Sequence, residues 1–237
     1  SDAYSAASRA LIKEYRDQAT TDERREAIEE EYEELGSQTL EQNRNNYFGV
    51  VMLSQQAYGL SGQEILDEIA LFPAELQQTG EMTKIRENAE QKLKTDVGQP
   101  YIDVVQPDAD GKEVSLKSVV ENPATKYVLL DFWASWCGPC LREVPNVKAI
   151  YEKYHDKGFE IFGVSLDETA GPWKAAIKKN DMNWHHVSSL KGWECPVAKQ
   201  YNVTGIPRMY IIDPEGKIIA QDLRGEELAN FVAGLYE

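Results

Sequence analysis

Cys137 and Cys140, in the run Cys137-Gly138-Pro139-Cys140, are the residues of this chain best suited to covalent chemistry. The thiolate is the nucleophile of disulfide exchange, so whatever favours negative charge on sulfur sharpens it. The residues ahead of the pair, Val128-Leu129-Leu130-Asp131-Phe132, read as a buried strand, and those behind it read as a helix. A strand thus delivers the cysteines to a helix N-terminus, where unpaired N–H groups and the helix dipole stabilise an anion. A spacing of three puts Cys140 one turn inside the helix from Cys137, near enough to close a small disulfide ring. Pro139 fits the first helical turn, where its missing N–H costs nothing.

Three uses of such a pair are open: a redox dithiol, half of a zinc site, or a structural disulfide. A zinc site needs four ligands, and only Cys195, His155, His185 and His186 remain, none at suitable spacing. A structural disulfide would not need the strand-to-helix setting. The redox dithiol is the reading adopted, with no metal and no organic cofactor required. Cys137, ahead of the helix, is expected to be the more exposed and more acidic thiol. Asp131 lies six residues before Cys137 in an apolar strand. Burial there raises a carboxyl pKa and suits it to proton transfer with Cys140, whereas a strand-end Asp facing water would do neither. Glu143 falls one turn beyond Cys140; as a bare helix residue it would be solvated. Gly138-Pro139 supplies no cation to over-stabilise the Cys137 thiolate. Cys195 precedes Pro196 and reads as a helix N-cap and a bystander. His185-His186 reads as edge-strand polarity, and Arg208 as an exposed strand residue.

The elements that must hold these groups follow from periodicity. Residues 1–96 form an α-helical region. Thr20 with Glu23, and Ser61 with Glu64, carry the spacing of a capping box. Gly36 marks a break or a cost, and Tyr47 to Tyr58 is the most apolar segment and the central helix. Residues 97–237 form the second domain, entered at Val97-Gly98-Gln99-Pro100. It alternates strands and helices: a hairpin around Asp110-Gly111, strands at Tyr127–Phe132 and Phe159–Ser165, a hairpin around Pro214-Glu215-Gly216 and a terminal helix. The helix after Cys140 contains Pro145, which should kink it.

The net charge is −15. Residues 1–96 hold 20 acidic against 10 basic residues. That balance argues against nucleic acid and anionic membranes as partners. Three cysteines are too few for a disulfide scaffold, and no stretch is long and apolar enough to span a bilayer. The chain starts Ser1-Asp2 without Met or a signal segment, so it reads as processed or excised. Membrane anchoring is expected only through a missing N-terminal segment.

The run FWASWCGPC, with Glu143 and Pro145 behind it, Asp131 ahead and Thr204-Gly205-Ile206-Pro207 later, resembles the TlpA/ResA-like thiol-disulfide oxidoreductases. These belong to the thioredoxin-like superfamily and are of the AhpC/TSA-redoxin type. The resemblance covers residues 98–237. It implies a thioredoxin-like three-layer α/β domain with a central mixed sheet, preceded here by the helical region. It assigns attack to Cys137 and resolution to Cys140, offers Asp131 for proton transfer and makes Glu143 a second active-site acid, which leaves open which of the two carboxylates manages the proton. Pro207 becomes a cis-proline facing the cysteines, with the Ile206 backbone pairing a substrate strand. Trp136, Gly138 and Pro139 complete the substrate-facing surface, and Trp133 belongs to the core. The implied function is reduction of partner-protein disulfides, fed by an upstream thiol donor, in the periplasm or cell envelope. A disulfide oxidase or isomerase on the same fold, and a non-catalytic binding module, are the alternatives. The peroxidase branch needs a Thr three residues and a Pro seven residues before its cysteine. Ala134 and Leu130 stand there instead.

Overall fold

The computed structural model describes residues 2–57 and 59–237. The chain divides into two compact units, residues 1–93 and 94–237. The first is helical: α1 (Asp2–Tyr15), α2 (Asp22–Asn43), α3 (Tyr47–Gln56), α4 (Gly62–Ala70), α5 (Ala74–Gln77) and α6 (Gly80–Lys92). Its start signals are local. Ser61 and Glu64 form the expected capping box at α4. At α2 the cap is Thr21, not Thr20. The Thr20 hydroxyl instead donates to the Glu14 carbonyl at 2.6 Å, closing the end of α1. Gly36 does not break α2. A Cβ there would sit 2.9 Å from the amide nitrogen at the end of the flexible Gln56 side chain. The core of this unit gathers Val50, Leu53, Ile65, Ile69, Met82 and Ala89. Tyr47 stays exposed, and Tyr58 lies outside the described residues.

The second unit opens with a short antiparallel hairpin, β1 (Val105–Pro107) and β2 (Glu113–Ser115), then α7 (Leu116–Val120). There follow β3 (Tyr127–Trp133), α8 (Gly138–Tyr154), β4 (Phe159–Ser165), α9 (Ala170–Lys179) and β5 (His185–Ser188). The chain ends with α10 (Pro196–Gln200), β6 (Arg208–Ile212), β7 (Ile218–Gln221) and α11 (Gly225–Gly234). The main sheet runs β5-β4-β3-β6-β7. Strands β3, β4 and β5 are parallel, and β6 and β7 join antiparallel, which makes the sheet mixed. Successive residues of β3, β4 and β6 are buried almost without interruption. Because neighbouring side chains point to opposite faces, both faces are covered, and the unit has three layers. This is the thioredoxin-like α/β arrangement. Strand β3 is central, and its C-terminal end delivers the cysteine pair. Helix α8 continues through Pro145.

His185 is exposed on edge strand β5, but His186 is not simply edge polarity. It is buried, with its ring 5.4 Å from Trp133, and desolvation pushes its pKa down to about 3.

Candidate active site

Cys137 is the N-cap of α8, and Pro139 sits in its first turn. The Cys140 backbone N–H donates to the Cys137 sulfur at 3.1 Å. That bond is the helix-terminus effect in concrete form: an orphan amide of the first turn is aimed at sulfur. Cys137 and Cys140 are joined as a disulfide, with Cα atoms 5.3 Å apart. Each is only 4% exposed, so Cys137 is not the more open of the two in this state. Gly138, Pro139 and Trp136 supply the exposed surface around them, and Trp136 is 55% exposed. Trp133 is in the core.

The Ile206–Pro207 bond is cis, as the family resemblance implied. It brings the Ile206 carbonyl oxygen to 3.7 Å from the Cys137 sulfur. Pro207 is buried and Ile206 half-buried. Arg224, the N-cap residue of α11, donates to the Pro207 carbonyl at 2.7 Å.

Asp131 lies in β3 opposite Gly163 and Met209, only 6% exposed. Its Oδ1 has no hydrogen-bond partner among the described residues. Desolvation pushes its carboxyl up to about 7; Glu143 pushes the same way, and Arg224 pulls it back. The buried-acid expectation is therefore the one that fits, not the solvated strand end. Glu143 is half-buried and its Oε1 is committed: the Gly225 N–H donates to it at 2.8 Å and the Asn146 side chain at 2.6 Å. It ties α8 to the start of α11.

Two features were not visible in the sequence. Asp167, just beyond β4, is 2% exposed and holds the loop ahead of the cysteines. The Ser135 N–H donates to its Oδ2 at 2.9 Å, the Ser135 hydroxyl to its Oδ1, and the Ser165 hydroxyl to Oδ2 at 2.7 Å. Its position at the carboxyl end of a parallel strand beside the site was the available signal. The second feature is Arg142. A Cβ on Gly138 would lie 3.4 Å from its Nη1, so this guanidinium lies beside Gly138, the residue after Cys137. Gly138-Pro139 itself supplies no cation, as expected; Arg142 comes from beyond Cys140.

Two other expectations change. Arg208 is half-buried, not free on a strand: it pairs with Asp222, donates to Gln221 at 3.0 Å and to the Tyr210 hydroxyl at 2.9 Å. Cys195 makes no side-chain cap. It is fully buried and its sulfur accepts from the Gln106 amide at 3.1 Å. Among the described residues, no group of three or more His, Cys, Asp or Glu could hold a metal ion. No helix among them is long and apolar enough to cross a membrane.

Several similar proteins are named thiol-disulfide oxidoreductases. The sequence profile of the AhpC/TSA family matches residues 97–221. The thiol-disulfide oxidoreductase ResA of Bacillus thuringiensis subsp. konkukian (strain 97-27) is 36% identical over 134 residues, 56% of this chain and 73% of that protein. The crystal structure of the thioredoxin domain of a thiol-disulfide oxidoreductase from Bacteroides vulgatus is similar at TM-score 0.55 and 36% identity. It covers 60% of this chain and 99% of that one. The solution structure of a thiol:disulfide interchange protein from Bacteroides sp. gives TM-score 0.53 and 35% identity, over 59% of this chain and 90% of that one. The chain belongs to the AhpC/TSA family and is a thiol-disulfide oxidoreductase similar to ResA.

Proposed function

We propose that the protein reduces disulfides of partner proteins through the Cys137/Cys140 dithiol. Two observations together carry the reading. The Cys140 amide points at the Cys137 sulfur at the N-terminus of a 17-residue helix, and the buried Asp131 carboxyl on the preceding strand keeps its Oδ1 unpartnered among the described residues.

The Cys137 thiolate attacks one sulfur of the substrate disulfide. A Cys137–substrate bond forms, the substrate's own S–S bond breaks, and one substrate thiolate leaves. Cys140 gives its proton to the Asp131 carboxylate and attacks the Cys137 sulfur. The Cys137–Cys140 bond forms, and the second substrate thiolate leaves and takes up a proton. The substrate gains two electrons, and an upstream thiol donor returns two to the enzyme. Asp131 is assigned the proton because its Oδ1 is uncommitted and its pKa lies near neutrality, where a proton carrier works best. Glu143, with Oε1 already bonded twice, is assigned a bracing role and a like-charge influence on Asp131. Trp136, Gly138, Pro139, Ile206 and Pro207 form the substrate-facing surface.

The reducing direction rests on the carboxylates. Asp131 and Glu143 disfavour a neighbouring thiolate, which raises the thiol pKa and lowers the reduction potential. Arg142 acts the other way, and it is the observation that favours an oxidase or isomerase. The reading assigns its work to the periplasm or cell envelope, outside the cytoplasm, and the similarity to ResA supports that assignment.

Insulin reduction by dithiothreitol tests the chemistry. Wild type should accelerate it, Cys137→Ser should not, and Cys140→Ser should accumulate a mixed disulfide with an insulin chain. Acceleration by Cys137→Ser equal to wild type would reverse the assignment.

A further inference from the structure

Trp136 is not alone on the surface. The ring of Trp193 lies 6.2 Å from it, centroid to centroid, at 54°. Both are exposed, Trp136 at 55% and Trp193 at 43%. A single exposed aromatic needs no explanation, but two touching beside a reactive pair form an apolar patch, and such patches mark contact sites.

The molecule holds both rings in place. Ser135, bonded to buried Asp167, fixes the loop that carries Trp136. Trp193 sits between two buried residues, Gly192 and Cys195. Gly192 has φ 54°, and a Cβ there would lie 2.7 Å from Glu168 Oε1, so any other residue would be strained at this position. Leu190 also has positive φ, 53°, which an L-residue with a bulky side chain rarely adopts. Its N–H is held by the Ser188 hydroxyl at 3.1 Å. The loop is thus built to a fixed shape whose outcome is an outward tryptophan.

We propose that Trp136 and Trp193 form a recognition ledge for a large apolar side chain, aromatic above all, one or two residues from the attacked cysteine of the substrate. The proposal rests on the disulfide-exchange reading given above. Trp136 immediately precedes Cys137, so a substrate whose sulfur reaches Cys137 must pass its ring. Consecutive Cα atoms are about 3.8 Å apart, so a side chain one or two positions from that cysteine spans the 6.2 Å between the two rings. The ledge is continuous with the reacting surface and has no charge in its two rings. It therefore selects by apolar and aromatic contact.

Two cyclic peptide disulfides of equal charge test this, one with Phe and one with Gly beside the attacked cysteine. Their second-order rate constants with reduced protein are measured, and the ratio of Phe to Gly peptide is compared among wild type, Trp193→Ala and Trp193→Phe. A ratio is independent of how much of a variant folds. Trp193→Ala should lower it about threefold to tenfold, the range of one aromatic contact, and Trp193→Phe should largely restore it. A ratio equal to wild type in Trp193→Ala overturns the ledge while leaving disulfide exchange intact. If wild type reduces neither peptide, the exchange reading itself fails and takes the ledge with it. Sedimentation of wild type showing self-association that Trp193→Ala removes would assign the patch to a second copy of the chain and overturn the proposal.

Discussion

Replacing Asp131 by asparagine should change how stability depends on pH. The side chains are nearly the same size, so packing changes little. In the folded protein the Asp131 carboxyl is pushed from 3.8 up to about 7, first by burial and then by Glu143. Below pH 3.8 the group is protonated in both folded and unfolded chains and costs nothing. Between 3.8 and about 7 the unfolded chain ionises first, so stability falls as pH rises. Above about 7 the folded state carries a buried charge and the loss is complete. At about 1.36 kcal/mol per pH unit the interval amounts to about 4 kcal/mol. The asparagine variant does not titrate at this position and escapes the loss. Urea unfolding of the oxidised proteins, followed by tryptophan fluorescence from about pH 4 to about pH 8, reads it directly. Using oxidised protein removes titration of the Cys137/Cys140 pair, and carboxylates remote from Asp131 cancel in the difference between variant and wild type. Asp131→Asn should gain on wild type by about 4 kcal/mol across that range. A difference that stays constant within about 1 kcal/mol would show that Asp131 ionises normally, and would remove it as the proton carrier.

Three further outcomes follow from the geometry. In reduced protein at neutral pH, iodoacetamide should label Cys137 before Cys140, because the Cys140 amide stabilises the Cys137 thiolate; peptide mapping showing Cys140 labelled first would exchange their roles. Cys195→Ser should leave insulin reduction unchanged but lower stability by about 1–2 kcal/mol, since a hydroxyl replaces a buried sulfur; a large fall in turnover would point to a third redox cysteine. Asp167→Ala should cost about 2–4 kcal/mol, because it strands donors at half-buried Ser135 and buried Ser165, and should also slow exchange by loosening the loop before Cys137; urea unfolding at wild-type stability would contradict the anchoring.

What was legible in the sequence was what local rules control. The apolar run of β3, the helix after Cys140 and the capping box at Ser61 each depend on residues a few positions apart. So did the raised Asp131 pKa, because an acid in an apolar run is buried by the strand it occupies. The cis-proline came from resemblance, since most X–Pro bonds are trans. The misses were long-range or competitive. Asp167 grips Ser135 across 32 positions, Glu143 meets Gly225 across 82, and Trp193 reaches Trp136 only once β5 lies beside the site. Thr20 and Thr21 both can cap, and α1 claimed the first. Arg208 looked free because its partners, Asp222 and Gln221, come from the next strand of the sheet and the residue just beyond it. Cys195 looked like a cap because its neighbour is a proline, but burial outweighed the local signal.

The central claim is that the Cys137/Cys140 pair gives electrons to partner disulfides. Its midpoint potential tests that most directly. Equilibration against dithiothreitol and glutathione redox buffers, with the oxidised fraction read by thiol alkylation and mass spectrometry, should give a two-electron midpoint near about −270 mV. The carboxylates at Asp131 and Glu143 then outweigh the Arg142 cation. A midpoint near about −120 mV would mean that the cation and the helix terminus win, and the protein would be an oxidant instead.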